Sequence, residues 1–178
     1  MGMYQHKGMA FETPDGWIDR TVLAFAAPGD DRDTHQPNVV MTREDLAEGD
    51  TLRTHADRTL LEMAKTLEGF DILESRETLL GGLRAVHIRF KWKSNAGDLE
   101  QGMTLCEAPP VPGELGRYAT IVTTTANVKE IANARPVFER LLASFTFPRG
   151  GGSLPPGAST PPEPLPDTSG PVFGIRRR

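Results

Sequence analysis

A chain of 178 residues with a formal net charge of −4 and one cysteine has the size of a single domain with an extension. The acidic balance argues against a nucleic-acid surface, which needs clustered Lys and Arg. The lone Cys106 excludes an internal disulfide and fits a reducing compartment. No stretch approaches the roughly eighteen apolar residues of a membrane span. The opening residues also lack the basic-then-apolar run of a secretion leader, so the expected location is the cytoplasm, without stable membrane insertion.

In chain order, residues 8–13 (GMAFET) form a short apolar run closed by the turn signal PDG, and residues 20–27 (RTVLAFAA) read as a second strand. Together they predict an N-terminal hairpin. Residues 37–44 (PNVVMTRE) are a third strand whose centre, Val39-Val40-Met41, is apolar at successive positions. Such a strand needs cover on both sheet faces. A helix is predicted over 51–68, capped by Asp50, with Leu52, Ala56, Leu60, Met63 and Leu67 on one face and Gly69 as its stop.

Two strands then flank Gly81-Gly82. In the second, Val86, Ile88, Phe90 and Trp92 alternate with His87, Arg89, Lys91 and Lys93, which predicts one buried and one wet face. Strands over 99–108 and 117–126 follow. Arg135-Pro136 is read as the start of a last helix with Val137, Phe138, Leu141 and Leu142 inward. Phe145 and Phe147 are expected to close the core. The sum is an α+β domain over residues 1–147: a mostly antiparallel sheet of six or seven strands with two helices packed on one face. There is no internal repeat.

Residues 148–178 hold eight of the fifteen prolines and carry four arginines against Glu163 and Asp167. This segment therefore has a charge of +2, leaving −6 for residues 1–147. Its composition predicts disorder, because it cannot bury enough apolar surface to offset its ordering entropy. The end of the sequence, PVFGIRRR, differs: Phe173 and Ile175 beside Arg176 and Arg177 make a candidate docking peptide.

Chemistry is sparse. His6, His35, His55 and His87 have no metal-ligand spacing with one another or with Cys106. Cys106 has no visible base or helix N-terminus to lower its pKa and reads as a small buried hydrophobe. The glycine pairs and triplets lack the spacing of phosphate loops. No acid and base pair up. The expectation is a protein without catalytic residues, metal or cofactor.

Three stretches carry a resemblance: the opening MYQHKGMAFETPDGWIDRTVLAF, the strand NVVMTRE before a helix, and the closing FERLLASFTF. Over about residues 3–147 they resemble the DcrB-like domain, whose fold is similar to that of PsbP and Mog. Within it, the chain is most similar to the effector-associated (Eag) chaperones of type VI secretion. That resemblance implies a cytoplasmic, often homodimeric adaptor without cofactor. Its client would be a PAAR-type effector whose N-terminal transmembrane helices lie in an apolar groove on the sheet, with help in loading onto the spike protein.

The resemblance places aliphatic groove residues at Val22, Ala24, Val39 and Met41 and a groove glutamine at Gln101. The first helix departs from the pattern, with Thr54, Arg58 and Glu62 where glutamines are expected. On this reading Val39→Asp abolishes client capture and leaves the domain folded. Two readings compete with it: both sheet faces are covered by the protein's own helices and loops, or the domain is a DcrB-like binding module for another protein or a small ligand, unrelated to secretion.

Overall fold

The computed structural model describes residues 2–6, 9–13, 21–29, 35–109 and 116–147, with backbone alone before residue 14. The segment 148–178, with the docking candidates Phe173, Ile175, Arg176 and Arg177, lies outside the described residues, as does the PDGW turn.

The strands are β1 (Gly2–His6), β2 (Met9–Thr13), β3 (Leu23–Ala26), β4 (Asn38–Leu46), β5 (Glu68–Leu80), β6 (Leu83–Ser94), β7 (Gly97–Glu107) and β8 (Arg117–Asn127). The helices are α1 (Leu52–Thr66), between β4 and β5, and α2 (Ile131–Ser144), after β8. β1 and β2 pair with each other. The remaining strands form one antiparallel sheet in the order β3-β4-β8-β7-β6-β5. The predicted hairpin between 8–13 and 20–27 is therefore not made: β2 turns back on β1, and β3 pairs with β4.

Gly81 and Gly82, with φ of 58° and 82°, make the tight β5–β6 turn that their sequence announces. Four antiparallel steps separate β4 from β5, so these two strands run parallel. The β4–β5 connection must cross a sheet face, and α1 makes that crossing. Its cap is Thr51, not Asp50. Thr51 Oγ1 accepts from the Thr54 amide at 3.1 Å, and the Thr51 amide donates to Thr54 Oγ1 at 2.9 Å. Asp50 instead takes the Arg58 guanidinium at 2.6 Å, and that hydrogen bond holds its carboxyl below the usual range. The helix ends at Leu67, before Gly69. α2 begins a turn earlier than Pro136 suggests, so the proline sits inside the helix and removes one intrahelical hydrogen bond.

The helices lie on opposite faces of the sheet, not on one. Ala56 and Leu60 of α1 pack with Val86, Ile88, Phe90, Met103, Leu105, Ala119 and Ile121. Ala134 and Phe138 of α2 pack with Val39, Ala85, Cys106, Val122 and Ala126. On β6, β7 and β8 these two sets have opposite parity, and successive strand side chains point to opposite faces. In the strand Val39-Val40-Met41, Val39 and Met41 face the α2 cluster and Val40 points to the opposite face. Phe145 and Phe147 pack against the α2 cluster, ring centroids 5.1 Å apart, as expected.

Candidate functional site

The five groove candidates do not share a face. In an antiparallel ladder, directly opposed residues point the same way. Ala24 opposes Val40, while Phe25 opposes Val39 and Leu23 opposes Met41. Ala24 and Val22 thus belong to the α1 face, with Gln101, which is two residues from Met103 along β7. Val39 and Met41 belong to the α2 face. Val39 is only 5% exposed within the α2 cluster, and Met41 packs against it. Val39→Asp would bury a charge in a packed core, so its expected effect is unfolding. Gln101 Oε1 accepts from Trp92 Nε1 at 3.1 Å, which fixes the amide's orientation.

The β3 end of the sheet carries exposed apolar surface on both faces, and the β5 edge also exposes Ile72, Leu73 and Leu79. On the α1 side, the helix cluster reaches Leu46, Ala119 and Ile121 but does not include Ala24, Val40 or Thr123. Those three lie side by side in the ladder. Ala24 is exposed, Val40 and Thr123 are half-buried, and Val22 is 57% exposed. The strip is made of short and β-branched side chains with Gln101 near its end.

On the α2 side, a trough of about 490 Å³ runs between β3–β4 and α2. Phe25, Pro37, Val39, Ala134, Val137 and Leu141 line most of it, and Glu130 is on its wall. Phe25 is 49% and Val137 52% exposed. The sequence held a signal for this second surface. Val137 and Phe138 are adjacent on a helix and about 100° apart, so both cannot point at the same core.

The centre of the α2 face is polar. Glu100, buried, accepts from Arg89 Nε and Arg135 Nη2, each at 3.0 Å. Arg89 Nη1 also donates to Glu74 at 2.9 Å, and Arg76 Nε donates to the other Glu74 oxygen at 2.7 Å. Burial pushes the Glu74 carboxyl up, but the Arg76 hydrogen bond and the two arginine charges outweigh it and hold it below its ordinary value. His87, expected on a wet face, is buried, and its Nδ1 shares a 2.8 Å hydrogen bond with Thr104 Oγ1. Desolvation, then the Arg76 charge, lowers its pKa from 6.5. Gly102 lies beside it where a Cβ would come within 2.8 Å of Thr124 Oγ1.

A cleft of about 210 Å³ opens over this network. Its arginines are taken up by Glu74 and Glu100, so the arrangement ties α2 to the sheet. Cys106 is fully buried, and burial pushes its thiol up to about 11, which keeps it protonated at neutral pH. Among the described residues no group of three or more His, Cys, Asp or Glu could hold a metal. No described helix is long and apolar enough to cross a membrane.

Known structures share this architecture. A Pseudomonas aeruginosa protein of unknown function, PA94, described as a putative regulator, is 22% identical. The match covers 85% of this chain and 99% of that one at a TM-score of 0.65. LpqN of Mycobacterium tuberculosis, described as involved in cell envelope biogenesis, is 12% identical over 74% of this chain and 86% of its own, at 0.53. At these identities the likeness speaks for the fold alone. The cyanobacterial PsbP of Synechocystis sp. PCC 6803 reaches 0.44, at 10% identity over 81% of this chain and 90% of its own, and carries no weight. No curated protein sequence matches the chain. The family profile named DcrB matches residues 9–144, from β2 through the last turn of α2, and the chain belongs to the DcrB family.

Proposed function

We propose that this DcrB-family domain is a non-enzymatic cytoplasmic adaptor that shields an apolar helix of a protein client. The client class is a type VI effector of PAAR type with N-terminal transmembrane segments, held by a homodimer and passed to the spike. The observation that supports this reading is the half-filled helix layer on the α1 face. α1 packs over β5, β6 and β7, and its cluster stops short of Ala24, Val40 and Thr123.

Strands are spaced about 4.8 Å apart, and packed helices about 8–10 Å apart. A helix laid beside α1 therefore falls over β8, β4 and β3. The surface it meets is built of Val22, Ala24, Val40 and Thr123, with the Gln101 amide within the same face. Small and β-branched side chains with an occasional amide are what a transmembrane helix packs against in a bilayer. The groove set is thus revised to Val22, Ala24, Val40 and Gln101, and Val39 and Met41 leave it.

The test is co-expression of the full chain with the first two transmembrane segments of such an effector. The wild type is expected to keep them in solution as a complex of defined mass. The Val22→Asp/Ala24→Asp variant should lose at least about tenfold in capture, equivalent to about 1.4 kcal/mol, at an unchanged melting temperature. Undiminished capture by that variant would remove the α1-side strip from the mechanism.

A further inference from the structure

We propose that the trough on the α2 face is a docking site for the chain's own segment 172–175, so that Val172, Phe173 and Ile175 insert between β3–β4 and α2. The proposal is separate from the client reading, because the trough opens on the opposite face of the sheet from the strip proposed for the client.

Size is the first argument. A volume of about 490 Å³ falls within the roughly 300–1,000 Å³ of pockets that take a compact ligand. It suits a few large side chains better than a transmembrane helix, which is about 30 Å long. Outside the described residues, PVFGI gathers three large apolar side chains within four positions of an otherwise Pro-, Gly- and Ser-rich segment.

Reach is the second. Phe147 sits at the β5–β6 turn, because a Cβ on Gly81 would touch its ring. Val39, on the trough floor, lies three strands across in the sheet order. It is also near the opposite end of the ladder from that turn. With strands about 4.8 Å apart and a rise of about 3.4 Å per residue, the two points are about 30 Å apart. The linker 148–171, treated as a Gly-rich chain, has a root-mean-square span of about 25–29 Å, and as an extended Pro-rich chain it reaches about 75 Å. A linker whose natural span matches the separation gives the highest effective concentration, in the millimolar range. Even a weak contact is then occupied.

Charge is the third argument. Arg176, Arg177 and Arg178 follow the apolar group, Glu130 is on the trough wall, and residues 1–147 carry −6.

The experiment compares methyl NMR spectra of the full chain and its Phe173→Asp/Ile175→Asp variant, which changes nothing in the packed domain. The expected result is a set of shift changes at Val39, Val137 and Leu141 that spares Val86 and Ile88 on the other face and persists on hundredfold dilution. Superimposable spectra would overturn the proposal. So would changes that vanish on dilution, since the segment would then be docking on a second copy. Val137→Asp, at an exposed position, should move the Phe173 and Ile175 resonances to those of a free peptide of the same sequence. No movement there would also count against docking.

Discussion

The sheet packs against its two helices in two different ways. Against α1, Val86, Ile88, Phe90, Met103 and Leu105 form an unbroken apolar layer. Against α2, apolar contacts are displaced toward Val39, Val122, Ala126 and Leu80, and the middle is held by Glu100, Arg89, Arg135, His87 and Thr104. Apolar burial has no directional requirement and stabilises in proportion to area. A buried charged network contributes little net stability but costs much when one partner is lost. The α1 face should therefore carry the stability of the fold. The α2 face should set how its helix sits and respond to pH.

The largest expected effect tests the first half of that contrast. Phe90→Ala removes a fully buried ring whose centroid lies 5.1 Å from that of Phe70. It should cost about 3–5 kcal/mol in denaturant unfolding, a large part of the total for a domain of this size. A cost below about 1 kcal/mol, the scale of a tolerated core swap, would show that the α1 layer is not the main source of stability.

On the other face, Glu100→Gln takes the carboxylate from two arginines that keep some contact with solvent. The expected loss is about 1–3 kcal/mol, with shift changes in α2 and none in α1. An effect spread equally over both helices would mean that the two layers are coupled and the contrast is wrong.

The smallest effect is in pH. His87 has a folded-state pKa below its ordinary 6.5. The unfolded chain therefore binds the proton more readily, and stability falls as pH drops through 6.5 toward the folded value. Above 6.5 this contribution is fully present. The groups around the ring are Thr104, Arg76, Glu74 and Arg89 from the sheet and Glu139 from α2. One proton sets a ceiling of about 1.4 kcal/mol per pH unit on the slope. Urea midpoints at pH 8 and pH 5 should converge in His87→Gln relative to the wild type. An identical pH dependence in both proteins would assign the acid sensitivity elsewhere.

Much of the architecture was legible in local patterns. The period-two run from Val86 to Trp92, the Gly81-Gly82 turn and the three- and four-residue spacing in α1 each announce their element through side chains near in sequence. Boundaries were less legible. Thr51 takes the cap that Asp50 also suits, because Asp50 is drawn to Arg58. The groove candidates fall on two faces. All five came from the family resemblance: Val22, Ala24 and Gln101 lie on one face, while Val39 and Met41 lie on the other. A strand that is apolar at every position has no periodicity to say which side chain points where.

The amino-acid sequence by itself determined the α+β class, the strand and helix types and the buried thiol, since propensity, spacing and composition act over a few residues. Tertiary structure alone decided that the helices take opposite faces, that His87 is buried, and that the β3 end is left exposed on both sides. Those outcomes depend on strand order and register, in which residues far apart in sequence are set side by side.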